Sequence, residues 1–203
     1  MKRLSLLVLL FPALASATTY EVDPAHTTVQ FVVTHMMVTK VRGTCEKVSG
    51  TLNVDEKDPT KSTVEVSIDP VSINTRVQMR DNDLRSPNFF EVAKFPAITF
   101  KSKKVAKGAK GALKVTGDLT IRDVTREVTL DVGPFTKEWK DPYGNLKIGA
   151  FASTKVNRLD WGLKWNVPLE AGGVLVGNDV DITIDLEAKK LAEAAPAPPA
   201  ATK

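Results

Sequence analysis

The segment VDITIDLE, residues 180–187, alternates apolar and polar side chains without interruption. In a β-strand successive side chains point to opposite faces, so four apolar residues share one face: Val180, Ile182, Ile184 and Leu186. The residues between them are all polar or charged. This pattern is typical of an antiparallel strand with one face packed inside the protein and the other in solvent.

The same alternation recurs along most of the chain. Four further stretches show it, at residues 29–35, 64–69, 115–121 and 128–132. Turn signals separate the stretches at short spacing, among them Asp58-Pro59, Gly133-Pro134 and Gly172-Gly173. About eight strands so separated predict an all-β protein, either a sandwich or an up-and-down barrel.

Small residues favour the barrel over the sandwich. Several positions that can face inward carry glycine or alanine, namely Gly117, Gly149, Ala150, Ala152 and Gly162. Small side chains at such positions would leave a lumen, and a barrel of about eight strands is wide enough to hold one ligand. The small residues therefore favour a barrel over a sandwich.

One stretch departs from the period of two: MRDNDLRSPNFFEVAKFPAITF, residues 79–100. From about Asn74 to Leu84 the spacing becomes three and four, and Pro87 stops the pattern, so we expect one short helix between strands. Beyond the helix, five apolar residues are expected to pack the barrel and line its interior: Phe89, Phe90, Phe95, Ile98 and Phe100.

The charges of this helix allow two interpretations. Arg80 with Asp83, and Asp81 with Arg85, would be helical neighbours and would neutralise each other as ion pairs. Alternatively, the two arginines could form an entrance site that contacts a phosphate or a quinone oxygen. We favour the ion pairs, because a dedicated phosphate site would carry an excess of positive charge.

The two ends of the chain differ in composition from the centre. Residues 1–17 combine Lys2 and Arg3, an apolar run and the triplet Ala15-Ser16-Ala17, which predicts a cleavable signal peptide and export to the periplasm without a membrane anchor. Residues 191–203 are rich in alanine and proline and are expected to be a disordered tail. Residues 18–190 then form the barrel domain.

Composition excludes some partners. The formal net charge of +4 is small, and the basic residues are scattered, so we expect no nucleic-acid binding. Cys45 is the single cysteine. We expect it to be a buried apolar side chain, and the alternative is a disulfide between two chains of a homodimer.

Catalysis and metal binding have little support in the sequence. The nucleophile and zinc motifs of hydrolases are missing, and His26 and His35 would point to opposite faces of a regular strand. We expect no metal, no cofactor and no enzymatic activity. His35 shares the face of Phe31 and Val33 and is expected inside the lumen, and Trp161 and Trp165 are placed at the rim of the pocket.

Five blocks resemble, in order and spacing, the YceI-like family of exported bacterial proteins: DPAHTTVQFVVTH, RDNDLRSPNFFEVAKFPAITFKS, GDLTIRDVTREVTLDV, NRLDWGLKWN and EAGGVLVGNDVDITIDLEA. The resemblance covers roughly Tyr20 to Ala188. It implies an all-β, eight-stranded antiparallel barrel, lipocalin-like, whose interior holds a long apolar lipid, typically a polyisoprenoid. It also implies an association with periplasmic stress responses.

We therefore expect an exported lipid-binding protein that carries or stores a polyisoprenoid, a quinone or a related amphiphile. The ligand-binding residues that we predict are Phe31, Val33, His35, Ile68, Arg80, Leu84, Arg85, Phe89, Phe90, Ile98, Phe100, Trp161 and Trp165. Two alternatives remain open. One is an enzyme acting on a bound isoprenoid, and the other is a periplasmic interaction module without a ligand.

Overall fold

A computed structural model describes residues 17–192. Its strands are β1 Thr18–Val22, β2 Thr28–His35, β3 Thr39–Cys45, β4 Val48–Val54, β5 Thr63–Ile68, β6 Ile73–Asn74, β7 Ile98–Lys107, β8 Leu113–Ile121, β9 Val124–Val132, β10 Trp139–Lys140, β11 Leu146–Asn157 and β12 Val176–Lys190. The helix α1 spans Gln78–Arg85, and short 3₁₀ turns lie at Pro59–Lys61, Pro70–Ser72, Ala109–Gly111 and Arg158–Trp161. The predicted signal peptide, except Ala17, and residues 193–203 of the predicted tail lie outside the described residues.

The wall of the closed barrel consists of eight antiparallel segments, each a single strand or a bent pair of strands, which we call staves. Three staves are bent strands in two halves: β1 with β2, β3 with β4, and β5 with β6. The halves of each stave pair with the corresponding halves of its neighbour, as β1 does with β4 and β2 with β3. The remaining staves are β7, β8, β9, β11 and β12. The predicted fold, an all-β eight-stranded barrel with one short helix, is confirmed.

The long strand β12 closes the barrel. Along one edge it pairs with β1 and β2, as in Val22 opposite Ala188 and Phe31 opposite Ile182. Along its other edge it pairs with β11 from Lys147 to Asn157. Neighbouring staves thus follow one another in chain order, and both edges of the sheet are joined.

The two ends of the barrel carry different connections. The helix end, as we call it, carries α1, the β2–β3 turn at residues 36–38 and the connection at residues 158–175. The opposite end carries the connections at residues 55–62, 108–112 and 133–145. None of the helices in residues 17–192 combines the length and the apolar character needed to cross a membrane.

The helix begins later than the sequence pattern indicates. The prediction placed its start near Asn74, but Ile73 and Asn74 pair with Cys45 and Thr44 as strand β6. The chain turns only at Arg76, whose φ of 66° lies in the left-handed region. A cross-strand pairing of two residues therefore overrides the local helical spacing.

Candidate functional site

The barrel encloses an apolar cavity with a volume of about 270 Å³. It is lined at the helix end by residues such as Val33, Leu84 and Leu163, and at the opposite end by residues such as Val54 and Leu113. The cavity therefore extends along the barrel axis. Strand β12 alone contributes its whole alternating set, Val180, Ile182, Ile184 and Leu186.

Two phenylalanine rings fold against glycines of the wall. Gly43 lies directly opposite Phe31 in the β2–β3 pairing, and a Cβ atom there would collide with the Phe31 ring. A Cβ atom on Gly117 would lie 2.7 Å from Cζ of Phe100. Both rings can thus lie flat against the sheet rather than project across the cavity. Gly43 was missed in the sequence, although its position opposite an inward phenylalanine is the signal for it.

The other predicted small residues divide into two groups. Ala150 and Ala152 line the cavity, as expected. Gly149 lies between inward-facing residues and faces away from the cavity, with Thr136 beside it. Gly162 ends the 3₁₀ turn with a φ of 74°. Its role is therefore the turn itself and not the width of the lumen.

Nine of the thirteen predicted ligand-binding residues line the cavity. They are Phe31, Val33, Ile68, Leu84, Phe89, Phe90, Ile98, Phe100 and Trp161. Seven of the nine are aliphatic or phenylalanine residues that alternation or the apolar run after α1 placed inward. The other two are Leu84, which lies on α1, and Trp161 in the 3₁₀ turn. That they bind a ligand stays a prediction, since the structure shows only their position.

His35, Trp165 and Phe95 do not line the cavity, contrary to expectation. The Phe95 ring lies beneath the guanidinium of Arg122, 5.3 Å from the ring centroid. His35 continues the face of Phe31 and Val33, but β2 ends at this residue beside the β2–β3 turn, beyond the cavity. Trp165 packs on the outer side of Phe89, with the two ring centroids 5.4 Å apart. Trp161 was expected at the rim; instead it is a wall residue that is only 2% exposed.

Arg80 and Arg85 also lie outside the cavity wall. Both guanidinium groups are used in holding the segment before α1. Arg80 donates to Oγ1 of Thr75 at 2.7 Å and to its carbonyl oxygen at 2.8 Å. Arg85 donates to the carbonyl oxygens of Val71 at 2.9 Å and Ile73 at 2.7 Å. An entrance site built on these two arginines is therefore not what the structure shows.

The predicted ion pairs of α1 are wrong as well. Within the described residues, no ion pair joins Arg80 to Asp83 or Asp81 to Arg85. Asp81 is buried and accepts hydrogen bonds from Thr75, at 2.8 Å from the backbone nitrogen and 2.5 Å from Oγ1. Asp83 accepts from the side-chain amide of Asn88 at 2.8 Å. Backbone and neutral polar groups satisfy these charges, as is common for buried polar groups.

Arg158 is a buried charge in the cavity wall that the sequence analysis missed. Its guanidinium donates to carbonyl oxygens of Gly177 at 2.9 Å, Trp165 at 3.0 Å and Val176 at 3.2 Å, and also to that of Leu163. Burial lowers the pKa of Arg158 from its usual value. The sequence did contain a signal for its inward position, because Arg158 continues the alternating series of β11 residues that face the cavity.

The other polar lining residues offer little chemistry. They are Thr27, Cys45, Ser62, Thr63 and Thr154. Burial raises the pKa of the Cys45 thiol to about 12, so the sulfur remains protonated at neutral pH. Among the lining residues that the structure describes there is no histidine and no carboxylate. A nucleophile with a neighbouring base is therefore not assembled there.

A separate polar cluster lies outside the cavity, where the turn between β1 and β2 meets β12. Asp23, His26 and Glu187 bring their ligand atoms within 4.8 Å of one another, a spacing that a metal ion could use. However, Nζ of Lys147 lies 2.8 Å from Asp23 and 2.6 Å from Glu187. The ammonium group already supplies the positive charge at this position.

A family model described as the YceI-like domain matches residues 20–188. A UPF0312 protein of Staphylococcus aureus is 36% identical over 171 residues, which cover 84% of this chain and 96% of that protein.

Solved structures show the same barrel. The YceI protein of Campylobacter jejuni has a TM-score of 0.66 and 28% identity, with 78% of this chain and 90% of that chain covered. A polyisoprenoid-binding domain from Saccharophagus degradans, implicated in plant cell wall breakdown, has a TM-score of 0.63 and 16% identity, with 86% and 99% covered. The second likeness concerns the fold alone.

Proposed function

The chain belongs to the family of YceI-like domains, and from that premise we propose that its barrel binds a long apolar ligand as a carrier or store. The ligand class is a polyisoprenoid, a quinone or a related amphiphile. The observation that carries the proposal is the apolar cavity along the barrel axis. The polyisoprenoid-binding domain with the same fold supports this ligand class.

The cavity wall suits a hydrocarbon chain better than a polar molecule. Each buried methylene contributes about 0.8 kcal/mol, whereas a hydrogen bond to a charged headgroup contributes roughly 1.5–3 kcal/mol. For a chain of many carbons the tail therefore dominates the affinity. The inner face of β12 offers such a tail four consecutive aliphatic side chains.

Binding without catalysis is part of the same proposal. The polar lining residues are hydroxyls, one protonated thiol and Arg158, and the guanidinium of Arg158 is engaged with backbone carbonyls. Chemistry on a bound isoprenoid would need an acid, a base or a metal close to the ligand. The residues described along the wall supply none of these.

Export to the periplasm and a role in stress responses complete the proposal. The signal-like residues 1–17 support export. A homodimer linked through Cys45 finds no support, because its sulfur lies on the cavity wall and the residue is buried. The proposed protein therefore acts without an intermolecular disulfide.

A pair of neighbouring substitutions on β11 tests ligand binding in the cavity. Ala150→Phe adds a ring on the cavity wall, whereas Phe151→Ala removes a ring from the exposed outer face. We expect Ala150→Phe to reduce binding of a prenyl or quinone lipid at least tenfold, measured by quenching of tryptophan fluorescence. Phe151→Ala should bind as the wild type does.

Equal affinity of the two variants would contradict binding inside the barrel. Urea denaturation of both proteins serves as the control for folding. A folded Ala150→Phe protein that still binds the lipid fully would place the ligand outside the barrel and overturn the proposal.

A further inference from the structure

Three connections at the helix end expose large apolar side chains. Val38 at the β2–β3 turn is 84% exposed, and Met79 on α1 is 83% exposed. We define the apolar tip as the six exposed residues of these connections: Met36, Met37, Val38, Val77, Met79 and Val167. Six large apolar side chains exposed on connections of one barrel end make that end a candidate interaction surface.

The backbone conformation of the β2–β3 turn does not explain why methionines occupy it. Met36 and Met37 have φ angles of 52° and 59°, in the left-handed region that asparagine and glycine adopt at least cost. Two methionines stand there instead, and Met37 packs over Gly173 of the neighbouring connection. The reason for methionine must therefore lie in the side chains, which are flexible and adapt to irregular apolar surroundings.

Unpaired positive charge surrounds the apolar tip. Segments 34–42, 75–85 and 158–175 contain seven basic residues and four acidic residues, Asp81, Asp83, Asp160 and Glu170, so the net charge is +3. Three of the arginines donate to backbone carbonyls, which leaves four other basic residues: Lys40, Arg42, Arg76 and Lys164. None of the four basic residues forms an ion pair within the part of the chain that the structure describes. Apolar side chains ringed by free cations match a surface that offers hydrocarbon beneath negative charge.

The opposite end has exposed aromatic residues but more internal pairing of charge. Trp139 there lies under the ammonium group of Lys137 at 4.1 Å. Several lysines of that end are paired with carboxylates, namely Lys107 with Asp58, Lys114 with Asp131 and Lys190 with Glu138. The connections of that end, residues 55–62, 108–112 and 133–145, contain five basic and five acidic residues and so have no net charge. The positively charged helix end is therefore the better match for an anionic surface.

We propose that the apolar tip inserts into a lipid bilayer that contains anionic headgroups. The tip also adjoins the cavity, because Val33 lines the cavity and lies three residues before Met36. A protein docked in this way presents the helix end of its barrel to the membrane. The inference goes beyond the proposed function, since docking can be measured without any ligand in the barrel.

Cosedimentation with sucrose-loaded vesicles tests the docking. The wild type should bind vesicles of phosphatidylcholine mixed with phosphatidylglycerol, and binding should weaken in high salt because exposed charges are screened. The triple variant Met36→Ser, Met37→Ser, Val38→Ser should bind at least tenfold more weakly. The double variant Arg42→Gln, Arg76→Gln should bind mixed vesicles more weakly and lose about half of the salt dependence, because Lys40 and Lys164 remain.

Two control variants complete the test of docking. Tyr143→Ser removes an aromatic residue that is 91% exposed at the opposite end, and it should bind vesicles as the wild type does. Ala150→Phe, with its cavity filled, should also bind vesicles fully, which separates docking from ligand uptake. Undiminished binding by the folded triple variant, or loss of binding by Tyr143→Ser instead, would overturn the proposal.

Discussion

Single residues decide how much of the barrel interior is open. Gly43 has no side chain, and the Phe31 ring lies in the space that a Cβ atom would occupy. Arg158 lies at the helix end of the cavity, where its guanidinium donates hydrogen bonds to four carbonyl oxygens between Leu163 and Gly177. Gly43 thus keeps the lumen wide, and Arg158 holds the connection at residues 158–175 that borders the lumen.

The substitution Gly43→Ala tests the first of these roles. The added methyl group must displace the Phe31 ring toward the cavity, and overpacking of this kind costs about 1–3 kcal/mol of stability. We expect a lower free energy of unfolding in urea and a weaker affinity for long-chain lipid.

The double variant Gly43→Ala, Phe31→Ala is the matched control. Removing the ring relieves the collision with Phe31 and leaves only the contact with Cγ2 of Thr75, 2.8 Å from the added Cβ atom. The loss of stability of the double variant should therefore be smaller than the sum of the two single losses. Additive losses would show that the ring and the glycine act independently and would contradict this role of Gly43.

At the scale of elements, a polar cluster joins the turn between β1 and β2 to two barrel strands. Lys147 on β11 bridges Asp23 in that turn and Glu187 on β12. Its hydrogen bond holds the pKa of Asp23 well below the usual value of 3.8, and both carboxylates raise the pKa of Lys147. The cluster lies where β12 passes from pairing with β2 to pairing with β1.

These pKa shifts predict how Lys147→Met depends on pH. Because the pKa of Asp23 is lower in the folded state, its contribution to stability is full above about pH 4 and is lost as the pH falls further. The raised pKa of Lys147 keeps its contribution full up to about pH 10. Lys147→Met should therefore lower the free energy of unfolding most between these limits.

Urea denaturation at pH 7 and at about pH 2.5 measures the effect. The difference between wild type and Lys147→Met should shrink at the lower pH. Lys155→Met removes a more exposed pair with Asp181 and should have little effect at pH 7, since surface ion pairs contribute little. A difference for Lys147→Met that is the same at both pH values would show that the ammonium group does not act through Asp23.

At the scale of the whole molecule, the fold could be predicted because alternation is a local property. The inward face of β12 followed directly from the residues of VDITIDLE. Alternation likewise found Phe31, Val33 and Ile68, whereas the phenylalanines that follow α1 were found from the apolar run there. The family resemblance supplied the barrel closure and the ligand class, which alternation alone could not.

The wrong predictions concern polar side chains whose hydrogen-bond partners are distant in sequence or belong to the backbone. Arg80 and Arg85 bind carbonyl oxygens between Val71 and Thr75, and side-chain spacing carries no information on carbonyl positions. Trp161 enters the wall because its Nε1 donates to the carbonyl of Leu119 at 3.0 Å, on another strand. Such contacts depend on how the barrel closes and cannot be read from local patterns.

Native mass spectrometry of the protein purified from the periplasmic fraction tests the central claim most directly. The released molecule should be extracted into organic solvent and identified. We predict one long-chain lipid, a polyisoprenoid or a quinone, for each chain, and its loss from Ala150→Phe. Wild-type protein that carries no lipid, and that also fails to take up prenyl and quinone lipids when they are added, would contradict the proposed function.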